Sequence, residues 1–208
     1  MDERLMRFVL ELRQAGVTDT RVLSALERTP RTHYAPGHLE MLALDDVGLP
    51  LPHAQAMTKP STIGRVVTAL DVRKDDVVLE IGTGSGFQSA VLGELAHKVV
   101  SLERWRDLVA DARMRFGTAR LDRVYAHVAD GALGWPEEAP YDRIVFNVAV
   151  DEPPDAVFEQ LKPGGVLLAP LTTGAGQRLI RFRNGQREDL GPIEFKALES
   201  GVPDDPQP

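Results

Sequence analysis

A chain of 208 residues, 43% hydrophobic, is long enough to bury a sizeable core as one domain with a small appendage. Its formal net charge of −7 argues against a broad phosphate-binding face, and so against nucleic acid as a partner. The lack of cysteine excludes disulfides, thiolate metal sites and a thiol nucleophile, and it fits a cytoplasmic location.

The opening stretch M-D-E-R-L-M-R-F-V-L-E-L is too charged for a signal peptide, and no apolar run reaches the roughly 18 residues of a membrane span, so no membrane contact is expected. Leu5, Phe8, Val9 and Leu12 form one apolar stripe ending before Gly16. Val22, Leu23 and Leu26 form another, capped by Thr18 or Asp19 and stopped by Pro30; both predict helices. A third helix is expected over Pro36 to Leu44, with Leu39, Met41 and Leu42 as core residues. Asp45 to Lys59 has two prolines and no helical period, which predicts a long ordered loop of the kind that usually carries function. Pro60 then suits the first turn of a helix to Leu70, with Ile63, Val66, Val67 and Leu70 facing inward.

The remainder alternates: strand Val77 to Ile81, helix Ser85 to Leu95, strand Val99 to Glu103, helix Arg104 to Phe116, strands Val124 to Val128 and Ile144 to Asn147, helix Pro154 to Leu161, and strand Gly165 to Leu171. Such alternation predicts an α/β fold, a doubly wound and mainly parallel sheet. Gln177 to Arg183 and Gln186 to Leu190 flank Asn184-Gly185, a type I′ signal for a closing antiparallel hairpin. The expected organisation is 1–60 as N-terminal helices with a covering loop, 61–200 as the main ligand-binding domain, and 201–208 as a disordered tail.

The stretch V-V-L-E-I-G-T-G-S-G-F-Q (Val77 to Gln88) organises this pattern. A buried strand runs into Gly82, Gly84 and Gly86 and then into a helix, so a ligand can lie against backbone at a helix N-terminus. The spacing is G-x-G-x-G and the loop holds no lysine or arginine to meet a phosphate, which favours a nucleoside without a pyrophosphate. Glu103 ends the next apolar run, 23 residues after Glu80, close to the offset at which an acid grips ribose hydroxyls. Together these features point to S-adenosylmethionine rather than to a purely structural glycine turn. Nothing in the pattern suggests a metal site.

These residues resemble the protein-L-isoaspartate O-methyltransferases over Leu5 to about Leu198. The resemblance rests on E-I-G-T-G-S-G-F-Q (Glu80 to Gln88), S-L-E-R (Ser101 to Arg104), A-D-G (Ala129 to Gly131), A-P-Y-D (Ala139 to Asp142) and L-K-P-G-G (Leu161 to Gly165). Upstream, L-P-L-P-H-A-Q-A-M-T-K-P (Leu49 to Pro60) is similar to that family's L-P-I-G-x-G-Q-T-I-S-Q-P loop. The resemblance implies a sheet of the S-adenosylmethionine-dependent methyltransferase type. Glu80, Gly82, Thr83, Gly84, Ser85 and Gly86 would surround the methionine and sulfonium part, Glu103 would bind the ribose, Asp130 and Gly131 would meet the adenine, and Gln177 would lie near the cofactor. Thr58 corresponds to the family's reactive hydroxyl, and Gln55, Asn147, Val148 and Ala149 would meet an isoaspartyl-containing protein or peptide. The sequence does not fix the oligomeric state, and a monomer is favoured.

Methylation of a carboxylate asks for placement rather than for a base, because the acid is already ionised at neutral pH. The departures from the family pattern lie on the acceptor side. Pro52 and Ala54 stand for glycines, Ala56 for threonine, Thr58 for serine, F-N-V-A-V (Phe146 to Val150) for a V-T-A-A type segment, and F-K-A-L (Phe195 to Leu198) for F-V-P-L. Several residues keep a plainer reading: Asp130 as a turn cap, Thr58 as the N-cap of the Pro60 helix, Asn147 as a strand-end residue, and Arg178, Arg181, Arg183 and Arg187 as a solvated strand face. Two other functions stay open at this stage: methylation of a different carboxylate or hydroxyl acceptor, and cofactor binding without turnover.

Overall fold

The structure, a computed structural model, describes residues 3–204. Helices α1 (Glu3–Gln14) and α2 (Thr20–Arg28) form where the stripes predict, burying Phe8 and Leu12 from the first and Val22, Leu23 and Leu26 from the second. Asp19 caps α2 by accepting the Arg21 N–H at 2.8 Å.

The expected third helix does not form. Gly37–Leu42 is a 3-10 segment; Leu39 is half-buried against the core, while Met41 is 82% and Leu42 42% exposed. Six residues opening on a glycine are too few to repay α-helix nucleation. Beyond them, Arg31 draws in the carbonyls of Ala43 and Val47.

The long loop is ordered and contains a small hairpin, β1 (Leu49–Pro50) against β2 (Ala56–Met57). Its turn is closed by the Gln55 N–H donating to the Pro52 carbonyl, with His53 and Ala54 both at positive φ, 58° and 52°. That is a type I′ turn made without glycine. Helix α3 (Pro60–Leu70) follows with its inward face as predicted.

The main sheet has the order β5-β4-β3-β6-β7-β8-β9. Strands β3 (Val77–Ile81), β4 (Lys98–Glu103), β5 (Val124–Val128), β6 (Tyr141–Phe146) and β7 (Leu161–Thr173) pair in parallel. Strands β8 (Gly176–Arg183) and β9 (Gln186–Pro192) close it in antiparallel sense. Asn184 and Gly185 at φ 51° and 73° make the foreseen turn between them.

Helices α4 (Phe87–Gly93), α5 (Arg106–Thr118) and α6 (Asp155–Phe158) are the crossovers; α4 and α6 are shorter than predicted. Alternate strand residues fill two cores. Val78, Val99 and Val145 face α1 to α5, while Leu79, Val100 and Ile144 pack on the opposite side. The chain leaves β3 toward β4 and β5 and returns on its other side as β6, so the strand order reverses at β3, where open α/β sheets form a ligand crevice. Gly201, at the start of the expected tail, donates to Asp130 Oδ2 at 2.7 Å; residues 205–208 lie outside the described residues. No helix among the described residues is long and apolar enough to cross a membrane.

The turn at Ala54 yields a direct test. An alanine in the left-handed region carries roughly 1–2 kcal/mol of strain, part of which a glycine gives back as unfolded-state entropy. Ala54→Gly is therefore expected to raise stability by about 0.5–1 kcal/mol in urea denaturation, and Ala54→Val to lower it.

Candidate active site

The site begins at the end of β3. Glu80 is fully buried and lies directly across from Ser101 in the parallel register. Its carboxylate accepts hydrogen bonds from Ser89 Oγ on α4, Ser101 Oγ on β4 (2.7 Å) and Asn147 Nδ2 just past β6 (2.9 Å). Asn147 also donates to the Gly82 carbonyl at 3.0 Å and accepts from Gln88 Nε2 at 2.8 Å. Burial pushes the Glu80 carboxyl up to about 7, against the pull of these donors.

Above this network Gly82, Gly84 and Gly86 hold φ of 99°, 53° and 84°. Gly86 also lies hard against α5: a Cβ there would stand 2.8 Å from Phe116 Cε1.

A cavity of about 300 Å³ opens over the C-terminal ends of β3, β4 and β6. Of the residues predicted to bind cofactor, Gly82, Thr83, Gly84, Ser85, Glu103 and Gly131 line it. Glu103 turns Oε2 to the Gly84 N–H at 3.0 Å and Oε1 to the Arg104 N–H at 2.8 Å, which fixes its carboxylate at the cavity wall. Phe87, Leu102, Val148 and Leu198 add apolar surface. Among the described residues the cations in the wall are Arg104, paired with Glu199, and Lys196 from the C-terminal segment. A glycine bend without a basic residue, a carboxylate and an apolar flank suit a nucleoside carrying no phosphate.

Four of the predicted cofactor residues do not line this cavity. Glu80 lies beneath it in the buried network, and Gly86 is the N-cap of α4. Asp130 turns its oxygens to the backbone N–H groups of Ala132 (2.9 Å) and Gly201 (2.7 Å), the turn-capping role. Gln177 brackets Phe195, donating to its carbonyl at 2.8 Å and accepting its N–H at 2.7 Å. On the acceptor side Ala149 is likewise committed, because its N–H donates to the Lys196 carbonyl at 2.6 Å and its carbonyl accepts the Leu198 N–H at 2.7 Å. The chain's own strap, residues 193–199, thus occupies the Ala149 backbone, one of the positions expected to meet a peptide.

A wider groove, about 700 Å³, adjoins the cavity. Gln55, Thr58 and Asn147 line both, so they mark the junction, and Val148 lines the first. Thr58 is half-buried, and no partner for its hydroxyl is seen among the described residues. It is not the N-cap of α3, a position taken by Lys59.

Two residues that sequence reasoning passed over hold the loop in place. Arg31, 1% exposed, donates to the carbonyls of Ala43 (2.8 Å), Val47 (2.9 Å) and Thr58 (3.2 Å), and burial lowers its pKa to about 10. Trp105 stacks on His53 with ring centroids 3.8 Å apart and planes 2° apart. His53 Nε2 also lies 2.7 Å from Asp107 Oδ2. The stack pins the hairpin turn to the start of α5. No group of three or more His, Asp or Glu side chains among the described residues could hold a metal.

The protein-L-isoaspartate(D-aspartate) O-methyltransferase family matches residues 3–199. Among relatives, the protein-L-isoaspartate O-methyltransferase of Paracoccus denitrificans is 44% identical over 205 residues, covering 96% of this chain and 95% of that protein. That of Azorhizobium caulinodans is 43% identical over 202 residues, covering 94% and 92%. Among solved structures, a protein-L-isoaspartate O-methyltransferase superposes with a TM-score of 0.84 at 24% identity, covering 95% of this chain and 67% of that one. A Plasmodium falciparum structure assigned to the same activity, in complex with S-adenosyl-L-homocysteine, gives 0.81 at 18% identity, covering 94% and 98%. At those identities the structural likeness is one of fold. On the extent of the family match and the identity to its curated relatives, the chain belongs to the protein-L-isoaspartate(D-aspartate) O-methyltransferase family.

Proposed function

We propose that this protein transfers a methyl group from S-adenosylmethionine to the free carboxylate of L-isoaspartyl residues in damaged proteins and peptides, acting as a cytoplasmic monomer. The observation that carries the reading is the junction itself. A cavity whose glycine bend carries no basic residue adjoins a wider groove, and Thr58 lines both.

When bound, S-adenosylmethionine supplies an electrophilic methyl group on a positively charged sulfur. The chain has little proton chemistry to do, since the acceptor carboxylate arrives ionised. Glu103 would hold the ribose hydroxyls, and Gly82 to Ser85 would pass the methionine portion along the bend. Gly131 and the apolar wall of Leu102, Val148 and Leu198 would enclose the adenine. Thr58 would donate to the acceptor carboxylate and set its line of approach, with Gln55 beside it, so that rate comes from proximity and fixed dipoles. Asn147 and Glu80 would act from below, by keeping the glycine bend in one shape.

The first test is a methyl-transfer assay on matched isoaspartyl and normal aspartyl peptides. Turnover of the isomerised peptide alone is expected; no turnover, with tight cofactor binding intact, would overturn the acceptor assignment. Thr58→Val should lower kcat/KM for peptide roughly 10- to 100-fold, the worth of one hydrogen bond to a charged group, with cofactor affinity unchanged. Thr58→Ser should keep most of the rate.

Glu80 gives a pH signature. The folded state holds its proton up to pH of about 7, whereas an unperturbed glutamate releases it near 4.5. The stability this group contributes is fully present below the lower value and is lost as pH rises through the upper one. Across that window wild type should lose about 3 kcal/mol relative to Glu80→Gln. Urea denaturation of both proteins between pH 4 and 8 reads it, and parallel curves would show that the carboxyl is not perturbed.

A further inference from the structure

The groove beside Thr58 is basic in a protein that is otherwise acidic. Its charged lining residues are Lys59, Arg65, Lys196 and Glu194, three cations against one anion, whereas the whole chain carries −7. Arg65 donates to the carbonyls of Pro192 and Leu190, both at 2.6 Å, and to no carboxylate among the described residues. Lys59 and Lys196 are exposed, and neither has a carboxylate partner among the described residues. Of the nearby acids, Asp46 accepts the Ser61 N–H at 2.7 Å and Glu199 pairs with Arg104, which leaves Glu194 as the one anion on the groove.

Lys196 differs from an ordinary surface lysine in how it is mounted. Its carbonyl accepts the Ala149 N–H at 2.6 Å, the Gln177 amide brackets the preceding residue from both sides, and Leu198 is bonded to Ala149. The backbone is fixed while the ammonium is left free at the boundary of cavity and groove. Lys59 stands on the groove at the N-terminus of α3, whose dipole adds to the positive field.

We propose that this groove selects acidic sequence around the residue to be methylated, with Lys196 and Lys59 taking carboxylates of aspartate or glutamate neighbours. The proposal rests on the isoaspartyl reading above and names a preference within it. Charge complementarity of this kind acts mainly on encounter and register, so the preference should appear in KM and weaken with salt.

The test compares isoaspartyl peptides of one length whose flanking residues are all alanine, all glutamate or all lysine. At low ionic strength the glutamate-flanked peptide should exceed the alanine-flanked one by about three- to tenfold in kcat/KM, the range for two exposed ion pairs. The lysine-flanked peptide should fall below both. In Lys59→Ala/Lys196→Val the glutamate-to-alanine ratio should collapse toward one, as it should for wild type in 0.5 M salt. A flat series, or a ratio that survives in the double variant, would overturn the proposal. Fluorescence anisotropy of the same labelled peptides, with S-adenosylhomocysteine present, reads the charge preference without catalysis. Ordered affinities with no transfer would then sink the isoaspartyl reading alone, and equal affinities would sink the groove.

Discussion

A carboxylate sealed beneath the glycine bend is the constraint from which the site is built. Removing such a group from water costs several kcal/mol unless every lone pair finds a donor, and Glu80 meets donors from three directions: α4, β4 and the end of β6. Asn147 completes the arrangement, because its amide spends both ends at once, donating to Glu80 and Gly82 and accepting from Gln88. A network in which each member is satisfied has one low-energy geometry, so the strand ends cannot slide against one another without leaving a polar atom bare. The bend above inherits that rigidity.

The roof over the site follows a different rule. Residues 45–59 sink Leu49, Leu51 and Met57 into the core, but a loop of that length would still fluctuate if its carbonyls faced only water. One guanidinium gathers carbonyls from both ends of it, and a stacked histidine and tryptophan fasten its tip to α5. The loop is thus held at base and tip, and Thr58 lines the junction from a braced segment.

The strands, the glycine bend and the sheet reversal were legible in the sequence because each rests on local physics: apolar runs, alternation, and glycines where φ must be positive. The family motifs added the cavity, and most of the residues they marked do line it. What escaped were side chains whose partners lie far along the chain. Glu80 reads as a ligand residue until the register places Ser101 opposite it. Asp130 and Gln177 look available until Gly201 and Phe195 claim them. Arg31 gives no local sign at all, being one arginine among T-P-R-T-H with partners up to 27 residues away. The helix expected at Pro36 to Leu44 failed for the opposite reason: a weak local pattern was credited with a packing partner that the fold does not supply.

The clamp of Gln177 on Phe195 anchors a segment that serves two sites. The strap that follows completes the walls of both cavity and groove, held by the Gln177 amide, a bond from the Ile193 N–H to the Gln177 carbonyl, two bonds to Ala149 and the Glu199–Arg104 pair rather than by a full ladder. Local opening of a segment held this way leaves the parallel strands behind it paired. Cofactor cavity and acceptor groove therefore share one short wall, and displacing it opens both at once.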